Sequence, residues 1–465
     1  VSARLRAGEA AAWMGGVLRQ GSPTAELLGV SIDTRTLAPG QLFLAIVGPS
    51  HDAHDFLAAA AAGGAGGLVI ARGRAVPAEV KPELPVIEVA DTTQALGALA
   101  AAHRARFRGP VVAITGSNGK TTTKEMCAAI LSQRAPCLKT QGNLNNQYGL
   151  PLTLLGRSDD DRSIVVEIGM NHRGEIAPLA AIARPEVGVV TNVGSAHLEH
   201  LGSREAIALE KGDLLAALPA TGTAVIPEDD GFGLASRTCA AVVRFGLGAG
   251  ADVRAEAVRE SEAGGFAFEL VTPAGRVAVR VAGLGEPTLA NALAAAAAAQ
   301  AAGASLEDLA AGLAAYQPAH GRLERLALAG GGVLIDDSYN ANPQSMEVAL
   351  RVLARRRGAG RGFAVLGEMG ELGAASQAAH REIGRLLAEL RLDGLFTLAG
   401  RAEGFAEGAA AAGLPAARIR VCRDHDELAA RVAGELTAGD WVLVKGSRSA
   451  RMERVVEKLA ARGKA

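Results

Sequence analysis

The chain has 465 residues, 49% of them hydrophobic and 21% charged, with a formal net charge of −1. That length suits about three domains with ordinary buried cores. The balanced charge excludes the basic excess that a nucleic-acid or membrane-surface partner draws on, so neither nucleic-acid binding nor membrane insertion is expected.

The first segment, VSARLRAGEAAAWMGG, holds no long apolar run and reads as no signal peptide. Residues 1–86 contain SIDTRTLAPGQLFLAIVG and HDFLAAAAAGGAGGLVIA, short strands and one Ala-rich helix, which together make a small α/β unit. The Pro-containing stretch VPAEVKPELPVIEV marks its end. Residues 87–325 alternate apolar strands with helices: VVAITG, SIVVEIG and VGVVTNV each precede a helical pattern. That alternation predicts a doubly wound, largely parallel sheet. A strand-rich part (RVAVRVAGL) and a helix over 289–302 follow, and HGRLERLALAGGG reads as a hinge. The run LANALAAAAAAQAAGA is a packed helix rather than a membrane span. Residues 326–465 alternate again, through VLIDDSY, GFAVLGEMG, LDGLFTLAG and WVLVKGS, and predict a Rossmann-like α/β domain. The four cysteines (Cys127, Cys137, Cys239, Cys422) form no C-x-x-C pair. A disulfide framework or zinc site is therefore not expected, and a reducing cytoplasm fits.

The chemistry concentrates in VVAITGSNGKTTTKEM, residues 111–126. An apolar strand breaks into a Gly-rich turn and becomes a helix. Gly116 and Gly119 allow tight backbone geometry, and the helix start offers free N–H groups to an anion. Lys120 adds a point charge, and the Thr121 hydroxyl suits Mg²⁺. The loop from Thr115 through Gly116, Ser117, Asn118, Gly119 and Lys120 to Thr121 and Thr122 thus reads as a nucleoside-triphosphate site. The spacing departs from the strict G-x-x-x-x-G-K-[ST] pattern, since Ile114 occupies the first glycine position. Other polar residues also follow apolar strands directly: Glu167, His197, Asp336, Asp337 and Lys445. Strand carboxyl ends are where open α/β sheets bind ligands, so these residues can converge on one crevice. Glu167 suits Mg²⁺ as an oxygen ligand; His197 reads equally as a hydrogen-bonding loop residue.

The motifs GSNGKTTTKEM, GNLNNQYGLPLTLL, VVEIGMNHRGEIAPL, ARPEVGVVTNVGSAHLEHLGS, IDDSYNANPQSM and LVKGSRSARM resemble those of the Mur ligases, the ATP-dependent amide-forming enzymes of peptidoglycan precursor synthesis. The likeness spans essentially the whole chain. DTRTLAPGQLFLAIVGPSHDAHDF near the start and KGSRSARMERVV near the end resemble the member that uses UDP-N-acetylmuramoyl-tripeptide and D-alanyl-D-alanine. The resemblance implies three domains: a UDP-binding domain (1–86), an ATP-binding P-loop domain (87–325) and a domain for the incoming dipeptide (326–465). It implies that ATP phosphorylates the tripeptide carboxylate and that the dipeptide amine attacks the acyl phosphate. A monomer is expected.

The resemblance also assigns residues. Glu167 and His197 would serve a second Mg²⁺, and Lys211 matches a lysine often carbamylated in the family. The alternative for Lys211 is a helix-surface lysine paired with Glu210 or Asp213. Asn291 matches a residue near adenine, although Pro287 and Thr288 stand where the family usually shows His-Asn. Arg322, Asp337, Tyr339 and Asn340 would reach the nucleotide from the hinge and the last domain. Asn143, Asn145 and Asn146 would line the channel of the UDP-linked peptide, with Ser31, Thr34 and Arg35 at its uridine end. Lys445, Ser447 and Arg448 would hold the dipeptide carboxylate. Among other readings, a ligase adding a diamino acid should carry D-N-P-R, and a GTPase should carry N-K-x-D; neither motif is present. A folate ligase should lack the uridine domain. A non-catalytic regulator on the same fold remains compatible with the pattern.

Overall fold

The computed structural model describes residues 4–48, 50–194, 198–262 and 264–461. Among these residues the strands form sheets of two, five, nine and six strands. The α/β class with a doubly wound centre is as expected.

In the N-terminal domain, Val17–Gln20, Val86–Val89, Gly67–Ala71, Leu42–Leu44 and Val30–Ser31 lie side by side in that order. All pair in parallel except the edge strand Val17–Gln20. A short helix, Ala7–Trp13, joins the expected Ala-rich helix Leu57–Ala62; it buries Ala7, Ala10 and Ala11. The division expected after residue 86 cuts into Val86–Val89, which belongs to this sheet. The Pro-rich stretch is thus a connection within the first domain, and the apolar strand after it completes that domain's sheet.

The central sheet runs Gly275–Val281, Phe266–Thr272, Val253–Glu260, Ala241–Gly246, Thr223–Pro227, Val187–Val190, Val111–Thr115, Ser163–Glu167, Cys137–Lys139. The pairings at the first edge, among Gly275–Val281, Phe266–Thr272 and Val253–Glu260, are antiparallel and the remainder parallel. Every residue of Val111–Thr115 and Ser163–Glu167 is buried, as parallel strands covered on both faces require. Their side chains alternate between two cores. Val111, Ala113, Ile164 and Val166 pack with the helices Thr92–Ala105 and Ile176–Ala183 and with the N-terminal domain. Val112, Ile114 and Val165 pack under Lys120–Leu131 and Glu286–Ala301. The latter helix starts at Glu286, before the expected residue 289, because Pro287 occupies its first turn, where a missing N–H costs nothing.

In the C-terminal sheet the order is Glu324–Ala327, Val333–Asp337, Trp441–Lys445, Gly362–Leu366, Gly394–Leu398, Ile419–Cys422. Only the edge strand Glu324–Ala327 is antiparallel. The division expected after residue 325 therefore falls inside a strand of this sheet, and the connection between domains lies before Glu324.

Candidate active site

The phosphate loop is built as its sequence implies. The strand ends at Thr115 and the helix Lys120–Leu131 begins after Gly119. Gly119 has φ 82°, and a Cβ there would stand 2.2 Å from Asn291 Oδ1. Gly116 has φ 151°, and a Cβ there would stand 1.8 Å from Thr191 Oγ1. Both positions thus require glycine for conformation and for space. Thr191 Oγ1 donates to the Asn118 carbonyl at 2.6 Å, and Asn118 N donates to Asn192 Oδ1 at 3.0 Å. Thr123 Oγ1 donates to Asn291 Oδ1 at 3.3 Å. Asn291 thus holds the loop helix from the adjoining helix. Sequence reasoning does not single out Thr191 and Asn192; the signal for them is TNVG directly after the strand Val187–Val190.

Lys120 Nζ donates to the Gly116 carbonyl at 2.8 Å, folded across the loop. Burial pushes its amine down; Arg322 adds to that, and Glu167 and Glu371 oppose it. Thr121 Oγ1 accepts from Arg322 Nη2 at 3.3 Å. Glu167, at the end of its strand, is 1% exposed, and its Oε1 has no hydrogen-bond partner among the described residues. Lys211 sits in the helix Arg204–Ala216 and is 1% exposed, so it is not a surface lysine. Burial pushes its amine well below the usual lysine range, helped by the charge of Lys120 and opposed by Glu210. Glu210 is itself engaged by the backbone N–H groups of Gly174 and Ile176, and Asp213 by Arg237. His197 lies outside the described residues.

The C-terminal domain closes over this loop. Asn342 Nδ2 donates to Asn118 Oδ1 at 2.8 Å, and Asn118 Nδ2 donates to Gln344 Oε1 at 3.3 Å. The Tyr339 ring lies 4.0 Å from the Arg322 guanidinium and 5.9 Å from that of Arg448. Lys445 is buried, bonded to Asp337 Oδ2 at 2.5 Å and to the Asn340 carbonyl at 2.9 Å. Burial is the largest influence on both partners, raising Asp337 and lowering Lys445, and each is the other's main counterweight. Lys445 thus meets the cavity while ion-paired, and the exposed Arg448 pairs with Glu453 Oε1 at 3.2 Å. Ser447 Oγ stands 2.9 Å from Ser449 Oγ, which donates to Glu368.

One cavity of about 1550 Å³ collects the loop from Ser117 to Thr122 together with residues of the central and C-terminal domains. Glu167, Asn291, Asn143, Asn145 and Asn146 line its central-domain side. Arg322, Asp337, Tyr339, Asn340, Lys445, Ser447 and Arg448 line the other. Thr115, Gly116 and Lys211 are absent from its wall. So are Ser31, at the end of the N-terminal strand Val30–Ser31, and Thr34 and Arg35 in the turn that follows it. There the Arg35 guanidinium holds the Asp33 carboxyl at about 2, and Ser31 Oγ donates to the Asp33 carbonyl.

Residues 114–299 match the Mur ligase middle domain, and residues 321–448 match the Mur ligase, glutamate ligase domain. The chain is 40% identical to the UDP-N-acetylmuramoyl-tripeptide–D-alanyl-D-alanine ligase of Escherichia coli (strain K12), across 93% of this chain and 94% of that one. It is 34% identical to the ligase of the same name from Bacillus subtilis (strain 168), across 93% of each. Among solved structures, MurF from Acinetobacter baumannii matches with a TM-score of 0.89 at 34% identity, covering 99% of both chains. MurF ligase from Thermotoga maritima in complex with ADP matches with a TM-score of 0.81 at 29% identity, covering 94% of this chain and 98% of that one. The chain belongs to the Mur ligases, as its motifs imply.

The glycine constraint gives a direct test. Gly119→Ala forces an L-residue into a left-handed conformation costing about 1–2 kcal/mol and drives its Cβ into Asn291. Calorimetry should show nucleotide affinity weakened by about tenfold or more, since about 1.4 kcal/mol is tenfold. Unchanged affinity would contradict the loop assignment.

Proposed function

We propose that this chain is an ATP-dependent ligase that joins D-alanyl-D-alanine to UDP-N-acetylmuramoyl-tripeptide, giving UDP-N-acetylmuramoyl-pentapeptide, ADP and phosphate in peptidoglycan precursor synthesis. The observation that carries this reading is the single cavity where a phosphate loop, a buried carboxylate and the Ser447-Arg448 segment meet. Its support from relationship is the likeness, over 93% of the chain, to a ligase of that name.

The residues fit the chemistry. The loop amides and Lys120 suit the terminal phosphates, where Lys120 would exchange the Gly116 carbonyl for phosphate oxygens. Arg322, already at the Thr121 hydroxyl, adds a second cation on the same side. The Asn143–Asn146 loop would orient the UDP-linked peptide, with Ser31, Thr34 and Arg35 toward the uridine diphosphate. Lys445, Ser447 and Arg448 would receive the dipeptide, its carboxylate suited to the planar fork of Arg448. Asp337, Tyr339 and Asn340 would bring the C-terminal domain onto the nucleotide.

The donor set also fits Mg²⁺, which takes oxygen ligands, few protein carboxylates and substrate phosphates. The Thr121 hydroxyl and Glu167 Oε1, which makes no hydrogen bond among the described residues, are such donors. Bound there, the ion would screen the repulsion between phosphate and carboxylate. Carbamylated Lys211 belongs to this reading as a further oxygen donor, because burial favours the neutral amine that carbamylation needs. A cytoplasmic setting is supported by four cysteines without disulfides. A monomer is the working unit in this reading. Among the described residues no helix is long and apolar enough to cross a membrane.

Phosphate release with Mg²⁺-ATP and UDP-N-acetylmuramoyl-tripeptide should be strong only when D-alanyl-D-alanine is added, with the pentapeptide mass in the product. Stimulation by a single amino acid, or by glutamate with a folate, would move the chain to a sister activity. Silence with every acceptor would favour a regulator. Lys211→Ala should lose most turnover and recover part of it with added short carboxylates; no recovery would count against the carbamate.

A further inference from the structure

Lys120 and Lys124 stand one helical turn apart on the helix Lys120–Leu131, so their side chains leave the same face. Lys120 meets the cavity, whereas Lys124 is 1% exposed and lies outside its wall. An ammonium group at that depth is costly unless it is paired. Lys124 is paired in a specific way. Its Nζ donates to the Thr140 carbonyl at 2.6 Å and lies 2.7 Å from Glu125 Oε1. It faces Glu167 Oε1 at 3.6 Å. Glu125 is shared with Lys139, so it keeps a second cation. Glu167 Oε1, without a hydrogen bond, has Lys124 as its buried counter-charge.

Thr140 closes the arrangement. Its hydroxyl accepts from Glu167 N at 2.9 Å, and its own N–H donates to the Val165 carbonyl at 3.1 Å. The chain then enters the Asn143–Asn146 loop, whose Asn145 carbonyl accepts from Gly169 N at 2.8 Å. Both ends of the Glu167–Gly169 segment are thereby stitched to the loop that lines the cavity. The ammonium of Lys124 joins that stitched unit to the phosphate-loop helix. An apolar side chain of similar length would fill the space but would strip the donor from the Thr140 carbonyl and the counter-charge from Glu167.

We propose that Lys124 is a positioning residue of this ligase: it fixes the Glu167 carboxylate and the root of the Asn143–Asn146 loop against the phosphate-loop helix. The proposal rests on the ligase reading above. Lys124 touches no reactant; it acts through Glu167 and Thr140.

The test compares wild type with Lys124→Met and Lys124→Arg in the full chain. Wild-type turnover with D-alanyl-D-alanine is measured first; its absence sinks the ligase reading, an outcome separate from any difference between wild type and the Lys124 variants. With active wild type, Lys124→Met should lower kcat per folded molecule about 100-fold, within the range for a misplaced group at a reacting centre. KM for ATP should stay within about threefold, because the loop itself is intact. Lys124→Arg, which keeps the charge, should fall between the two. Independently of turnover, Mn²⁺ binding in the presence of ADP, followed by electron paramagnetic resonance, should weaken at least about threefold in Lys124→Met. Wild-type kcat per folded molecule with unchanged or tighter Mn²⁺ binding would overturn the proposal and leave Lys124 a merely structural residue. If Lys124→Met does not fold, the same readings on Lys124→Gln, which keeps a donor near the Thr140 carbonyl, decide in the same way.

Discussion

The packing around Asn118 and Gly119 is the constraint on which the site depends. Thr191 and Asn192 hold the loop from the neighbouring strand's end, and Asn291 presses on Gly119 from the adjoining helix. Asn342 and Gln344 reach the same Asn118 side chain from the C-terminal domain. One asparagine thus links the position of the phosphate loop to the domain that would bring the second substrate. Asn342 is also the N-cap of the helix Pro343–Arg356, so a single side chain starts that helix and touches the loop. The geometry of the reaction centre is set by this junction rather than by either domain alone.

Charge is the second organising theme. Lys124, Lys211 and Lys445 are buried around the cavity, and Lys120 is half-buried in its wall. A cluster of buried cations is unfavourable unless anions answer it. Lys445 has Asp337, and Lys124 has Glu125 and Glu167. Lys120 answers to a carbonyl and stands near Glu167 and Arg322, a surplus that triphosphate oxygens would satisfy. The cavity therefore presents Lys120 and Arg322 to an anionic ligand, and Lys120 would turn from the Gly116 carbonyl to meet it.

Much of this is legible in local sequence. A strand, two glycines, Lys-Thr and a helix define the phosphate loop without reference to the rest of the chain, and the order of strands and helices yields the fold class. What escapes needs tertiary information. Nothing in TTTKEM singles out Lys124; its role emerges only when the sheet brings Thr140 and Glu167 to it. Val86–Val89 follows a Pro-rich stretch that looks like a boundary, yet hydrogen bonds on both its sides place it in the first sheet. Pro287, outside the helix expected over 289–302, sits instead in that helix's first turn. Lys445 follows a strand as a substrate-binding cation would and lines the cavity; what the sequence does not show is that the parallel register sets it beside Asp337. Ser31, Thr34 and Arg35 form a local turn whose relation to the cavity no short-range pattern specifies.

The central claim is that the transferred phosphoryl group passes to a peptide carboxylate. It is tested most directly by isotope transfer: UDP-N-acetylmuramoyl-tripeptide is labelled with ¹⁸O in its terminal carboxylate, turned over with Mg²⁺-ATP and D-alanyl-D-alanine, and the released phosphate is weighed. An acyl phosphate requires one carboxylate oxygen to leave with the phosphate, so each product phosphate should carry one label. Unlabelled phosphate released in step with amide formation would contradict the account.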